Sequence, residues 1–224
     1  MIKNNYNLST RLEMIARIIP HGVNLADIGA DHGYLIKYLK ENKIINMGYA
    51  SDNKEGPYNN LKKNLEGLDV EIDLVSGIRN LPSYINCLCI AGMGGDTIIS
   101  ILDEEKDKLN NLEYIVISSH SLIENVRKYL FENGFSLIGQ DACFDKEPHY
   151  YEVNLFKKGK MKYDLIDVNY GKYLINSTNY AFFKNIQNNI YKIRQLLNKS
   201  LSEERIVALK NKLDEYENLL KNKY

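Results

Sequence analysis

The hydrophobic positions of this chain fall into two regimes that meet near residue 157. Before it, short apolar runs alternate with stretches whose apolar residues recur every three to four positions, the marks of strand and amphipathic helix. Leu12, Ile15, Ala16, Ile18 and Ile19 predict a first helix, capped by Ser9 or Thr10 and stopped by Pro20-His21-Gly22. Val23, Leu25, Ala26 and Ile28 predict a strand, Gly29 and Gly33 a tight turn, and Tyr34, Leu35, Tyr38 and Leu39 a second helix. A strand over 46–51 closes at Asp52-Asn53, and a helix runs from Gly56-Pro57 through Leu61 and Leu65 to Gly67. Strands follow over 70–76 and 85–91, and Gly92-Met93-Gly94-Gly95-Asp96 turns the chain into a helix over 97–102. A strand over 113–118, a helix over 122–131 ended by Asn133-Gly134, and adjacent strands over 135–144 and 150–156 complete the region. This alternation predicts an α/β fold with a doubly wound parallel sheet and an antiparallel hairpin at its edge.

Beyond residue 157 only the helical period remains. Phe183, Ile186, Ile190, Ile193 and Leu197 step 3, 4, 3, 4, and after Asn198-Lys199-Ser200 the residues Ile206, Leu209, Leu213, Tyr216 and Leu220 repeat the pattern. Ser200 with Glu203 reads as a capping box at the second start. Two short heptad stripes joined by a turn predict an antiparallel coiled-coil hairpin, so the chain divides into residues 1–158 and a helical part over 159–224.

Composition adds limits. With 224 residues and 44% hydrophobic content the chain can build a full core. No run approaches the roughly 18 apolar residues of a membrane helix, and Met-Ile-Lys-Asn-Asn-Tyr at the start has no apolar signal core, so a cytoplasmic protein is expected. Cys87, Cys89 and Cys143 are odd in number and lack a second ligand pair, which favours buried thiols over disulfide or metal. The net charge of zero hides an asymmetry: residues 1–156 carry 15 Lys and Arg against 22 Asp and Glu, whereas residues 157–224 carry 14 against 7. An acidic body with a basic tail suits a tail that meets a polyanion while the body holds a small ligand; the plainer alternative is a lysine-rich solubilising hairpin.

In an open parallel sheet, ligands sit beyond the carboxyl ends of the strands. That rim brings together residues 27–33, Asp52-Asn53, Ser76-Gly77, residues 92–95 and Ser118-Ser119-His120. Asp52 falls 23 residues after Gly29, where a carboxylate can accept both hydroxyls of a ribose. A dinucleotide turn would place glycine where this chain has Asp31, and a carboxylate there repels pyrophosphate. A cofactor with a cationic centre and no pyrophosphate, such as S-adenosylmethionine, fits better.

The segments D-I-G-A-D-H-G-Y-L at residues 27–35, G-P-Y at 56–58, I-A-G-M-G-G at 90–95 and Y-E-V at 151–153, preceded by L-S-T-R-L at 8–12, resemble the TrmK family of bacterial tRNA methyltransferases. The resemblance spans essentially the whole chain. It implies a Rossmann-like class I methyltransferase sheet with the helical hairpin behind it, and transfer of a methyl group from S-adenosylmethionine to N1 of adenine 22 in tRNA. It also implies roles: Asp27, Gly29, Ala30 and Asp31 along the methionine portion, Asp52 with Asn53 at the ribose, and Gly77 near the cofactor adenine. Ala91, Gly92, Met93 and Gly94 would pass under the methyl donor, and Arg11 would close over the site. Two departures stand out. Ser118-Ser119-His120 replaces the Q-P-N typical after the fifth strand, and Ser76-Gly77-Ile78-Arg79 lacks the usual acidic or Asn contact to the cofactor adenine.

The chemistry itself is undemanding. N1 of neutral adenine has a free lone pair, so the task is to hold it in line with the sulfonium methyl and exclude water. The product ring becomes positive, so a carboxylate beside it helps, and Asp31 is the first candidate, with His32 or Tyr34 positioning the base. His32 has a rival reading as a histidine bonded only within the turn, and Tyr34 as a core residue in phase with Tyr38. The exocyclic-amine signature D/N-P-P-Y is absent. Lys184, Lys192, Arg194, Lys199, Arg205, Lys210 and Lys212 would hold the tRNA backbone, while the hairpin's Tyr and Phe residues fit the seam better than a stacking platform. A monomer is expected, with no metal. The competing functions are a non-catalytic RNA-binding module on the same fold, a small-molecule methyltransferase, and a nicotinamide oxidoreductase with a dimerising hairpin.

Overall fold

The computed structural model describes residues 8–146 and 148–221; the polar start of the chain lies outside them. Seven strands form one sheet in the order β3-β2-β1-β4-β5-β7-β6. They are β1 (Leu25–Ile28), β2 (Gly48–Asp52), β3 (Val70–Leu74), β4 (Cys87–Met93), β5 (Tyr114–Ser119), β6 (Phe135–Phe144) and β7 (Tyr150–Lys158). The first five run parallel, and β7 pairs antiparallel with both β5 and β6. Strand side chains alternate between two cores. Leu25, Cys87, Cys89 and Val116 pack beneath α1 (Thr10–Ile18), α2 (Tyr34–Glu41) and α3 (Glu55–Asn64). Ala26, Leu88, Ile90, Ile115 and Ile117 pack beneath α4 (Gly95–Glu104) and α5 (Ile123–Glu132). Burial on both faces explains why these strands read as continuous apolar runs. The three cysteines are free and buried. Ser9 caps α1, its Oγ accepting from the Leu12 N–H at 3.3 Å.

Several boundaries differ from the sequence reading. β4 continues two residues past Ala91, because Gly92 (φ +84°) is absorbed as a register shift against β5 rather than opening a turn. The helix that follows therefore starts at Gly95, stacked under the next loop by a bond from Gly95 N–H to the Ser121 carbonyl. A 3-10 helix (Lys106–Asn111) and two short helices, α6 (Leu165–Asn169) and α7 (Lys172–Ile175), were not legible, being too short to show a period. Ser202, not Ser200, caps the last helix: its Oγ accepts from the Arg205 N–H at 3.4 Å.

The two long C-terminal helices, α8 (Tyr180–Leu197) and α9 (Glu203–Lys221), pack against each other. Ile186, Ile190 and Ile193 are buried along the expected stripe, joined by Ala181 and Phe182. Ala181, Phe182, Ile186 and Ile190 share a core with Leu213, Tyr216, Leu219 and Leu220 of α9, which itself buries no residue fully. α8 also contacts β6, and Ala142, Tyr170 and Leu174 share its core. No described helix is long and apolar enough to cross a membrane.

Candidate active site

The turn between β1 and α2 is pinned to its neighbour before it meets any ligand. Gly29 and Ala30 donate their N–H groups to the Ser51 carbonyl, and Asn64 holds the His32 carbonyl at 2.9 Å. Gly29 adopts φ +71°, a left-handed conformation that favours glycine, and a Cβ there would displace the movable end of the Met93 side chain. Asp31 also sits in the left-handed region, φ +52°, a conformation a non-glycine residue holds at some cost. Its carboxylate lies 3.5 Å from His32 Nε2, and the His32 ring stacks on Tyr34 at 5.3 Å with 14° between planes. Tyr34 is 49% exposed, which removes its reading as a core residue.

A cleft of about 760 Å³ runs along the carboxyl ends of the strands. Of the site residues drawn from the sequence, Arg11, Gly29, Asp31, Asp52, Asn53, Gly77, Ala91, Gly92 and Met93 line it. Asp27, Ala30, His32 and Tyr34 line a small adjoining pocket of about 90 Å³ that shares Arg11, Gly29, Asp31 and Ala91 with the cleft. Gly94 lines neither; it caps α4 and faces Ser121 Oγ. Asp52 is fixed at the end of β2, its Oδ1 accepting from the Lys54 N–H at 3.0 Å. Asp27 is buried in β1, and desolvation raises its carboxyl to about 7 against the opposing pull of Arg11.

The mouth carries contacts that no motif announced. The Arg11 guanidinium lies over the Tyr151 ring at 5.2 Å, and His120 meets the same ring edge-on at 5.8 Å. Both converge on Gly92, where a Cβ would stand 3.1 Å from Arg11 and 3.7 Å from His120. The loop carrying His120 is tied to β4: the His120 N–H and Ser119 Oγ both donate to the Met93 carbonyl. Lys54, Pro57, Asp96, Thr97, Ser100 and Glu104 also line the cleft. Asp96 and Thr97 were recoverable as the continuation of the G-M-G-G turn, whereas Ser100 and Glu104 share only a helix face and give no sequence signal. With Asp31, Asp52, Asp96 and Glu104 against Arg11 and Lys54, the lining favours a cation. Among the described residues, no group of three or more His, Cys, Asp or Glu is placed to hold a metal ion.

Residues 8–153 match the methyltransferase domain family Methyltransf_18. The chain is 30% identical to the tRNA (adenine(22)-N(1))-methyltransferase of Bacillus subtilis over 194 residues, 81% of this chain and 80% of that one. The chain belongs to the TrmK family. A Streptococcus pneumoniae structure assigned to tRNA (m1A22) methylation, solved with S-adenosyl-L-methionine, superposes with a TM-score of 0.87 at 30% identity, covering 95% of this chain and 99% of that one. The crystal structure of B. subtilis TrmK gives a TM-score of 0.76 at 26% identity over 96% and 97% of the two chains. The family likeness thus includes α8 and α9 as well as the sheet.

Proposed function

We propose that this protein transfers a methyl group from S-adenosyl-L-methionine to N1 of adenine 22 in tRNA. The observation that carries this reading is an acidic cleft, with Asp52 at the end of β2 and Asp31 in a left-handed turn, on a chain of the TrmK family. The lining fits the cofactor: its carboxylates suit a positive sulfonium, and Gly29 supplies the left-handed turn beside them. S-adenosyl-L-methionine supplies an electrophilic methyl carbon. In this assignment Asp52 and Asn53 accept the ribose hydroxyls, Gly77 lies at the adenine end, and Asp27, Gly29, Ala30 and Asp31 follow the methionine portion. Ala91, Gly92 and Met93 form the floor beneath the methyl group.

The target adenine must leave its stack to present N1. The small pocket beside Asp31, with its stacked His32 and Tyr34 rings, supports a role in receiving the base, and Arg11, Tyr151 and His120 offer a second wall at the mouth. The Asp31 carboxylate would oppose the positive charge that grows on the ring and take up an amine proton, which is electrostatic help rather than obligatory base catalysis. Residues 1–158 carry this chemistry, and the basic part over 159–224 holds the RNA backbone by charge. The protein acts as a monomer in the cytoplasm. The test mixes the protein with labelled S-adenosyl-L-methionine and unmodified tRNA and maps the methylated nucleoside. Label in 1-methyladenosine is expected; cofactor binding without transfer would overturn the assignment.

A further inference from the structure

Arg127 has no exposed surface, yet it carries a full charge into the interior. It sits on the face of α5 that otherwise buries Val126, Leu130 and Phe131. Three elements meet on its guanidinium. Nη1 donates to Glu152 Oε1 at 2.5 Å and to Asn154 Oδ1 at 3.2 Å, both on β7. Nε and Nη2 donate to the main-chain carbonyls of Val168 at 2.7 Å and Asn169 at 2.6 Å, at the end of α6. Gln140 of β6 extends the lock: its Nε2 reaches Glu152, Asn154 and the Tyr170 carbonyl, and its Oε1 accepts from the N–H groups of Tyr173 and Leu174 on α7. Gly171, at φ +74°, approaches that amide so closely that a Cβ would overlap it.

A buried ion pair is a poor source of net stability, because desolvating both charges offsets their attraction and an apolar pair of similar volume often serves as well. An apolar side chain cannot, however, grip two consecutive carbonyls in one plane, which is what the guanidinium fork does here. The grip falls on the short helices from which α8 departs. Its other end is Glu152, whose chain neighbour Tyr151 faces the opposite side of β7 and meets Arg11 and His120 at the cleft mouth. We propose that Arg127 is a positioning residue for the RNA substrate, setting the direction in which α8 and α9 leave the sheet and hence the span from the held RNA backbone to the cleft. The inference rests on the reading of those helices as the RNA-holding part.

Arg127→Met alone strands the Glu152 carboxylate without its cation, so the informative variant pairs it with Glu152→Leu, which is neutral and apolar. Spin labels at Glu66→Cys and Lys210→Cys, both exposed positions, report the direction of the helices, since Cys87, Cys89 and Cys143 are buried. A narrow distance distribution is expected in the native background and a broad one in the neutral pair; equal, narrow distributions would overturn the proposal. In parallel, KM for tRNA is expected to rise about tenfold, as for a binding-competent orientation populated about a tenth of the time. The affinity for S-adenosyl-L-methionine should stay within about twofold, the tolerance for distant, independent sites. A neutral pair with native KM would also overturn the role. Native protein that methylates no tRNA would instead overturn the functional reading, and the distance measurement would still decide what Arg127 does.

Discussion

Two carboxylates of the first turn do opposite things because of what surrounds them. Asp27 is buried and its carboxyl is raised to about 7 by desolvation, with Arg11 opposing, so the ligand-free fold prefers it neutral. Its contribution to stability is therefore complete below the unfolded pKa of an aspartate, about 4, and is lost as pH rises toward 7. A cationic ligand prefers the ionised form. Affinity for S-adenosyl-L-methionine should climb between about pH 6 and pH 8, with a midpoint near Asp27's own value, and Asp27→Asn should flatten the profile. Calorimetric titration across that range checks this, and a flat native profile would count against Asp27 as a ligand contact. Asp31 is exposed and shared by the cleft and the small pocket. Asp31→Asn, which keeps a residue type that tolerates φ +52°, should cost about 100-fold or more in kcat/KM, the scale of lost electrostatic stabilisation, while the thermal midpoint holds. Unchanged turnover would remove Asp31 from the mechanism. Asp31 was legible in the sequence, since a carboxylate where a dinucleotide turn needs glycine is a visible departure, whereas Asp27 came from its rim position and the family resemblance. Arg127 and the Tyr151 contact with His120 were not legible, because each joins residues far apart in the chain and no local pattern announces a meeting of elements.

At the scale of elements, the strands and the five helices around the sheet follow from apolar period, and the errors sit where geometry overrides it. Gly92 reads as a turn because glycine usually marks one, yet the sheet absorbs it as a shift in pairing. Helices α6 and α7, four to five residues long, carry no period to detect and are fixed by Arg127 and Gln140 instead. Glycines of similar appearance also have different duties. A Cβ at Gly95 would stand 2.6 Å from the Leu122 carbonyl and 2.8 Å from that of Ser121, backbone atoms that cannot turn aside. Gly95→Ala should destabilise by about 1–3 kcal/mol, as overpacking does, lowering the midpoint by several degrees. Gly56 lies in the first turn of α3 with no atom beyond its chain neighbours within 4 Å of a Cβ, so Gly56→Ala meets only the ring of Pro57 and should cost less than Gly95→Ala. Parallel thermal melts separate the two, and equal effects would deny the close approach of α4 to the loop after β5.

At the scale of the molecule, charge asymmetry in the sequence pointed to a division of labour between an acidic cleft on the sheet and a basic part after residue 157, whose excess sits on the segment before α8 and on α8 rather than on α9. Lys192, Lys199 and Lys210 are exposed. Changing all three to Glu should weaken tRNA binding and make its dependence on log salt concentration shallower by about 2–3 units, roughly one per lost phosphate contact, with cofactor affinity unchanged. Binding isotherms at several salt concentrations read this directly, and an unaltered slope would leave the helices a structural role only. The central claim concerns one atom of one nucleotide. A tRNA treated with the protein and S-adenosyl-L-methionine can be read by primer extension, since a methyl group on N1 blocks the pairing edge of adenine. A new stop is expected at position 22 that vanishes after alkaline rearrangement of the methyl group to the exocyclic amine, and none in a tRNA with guanine at that position. Read-through at adenine 22, or a stop elsewhere, would contradict it.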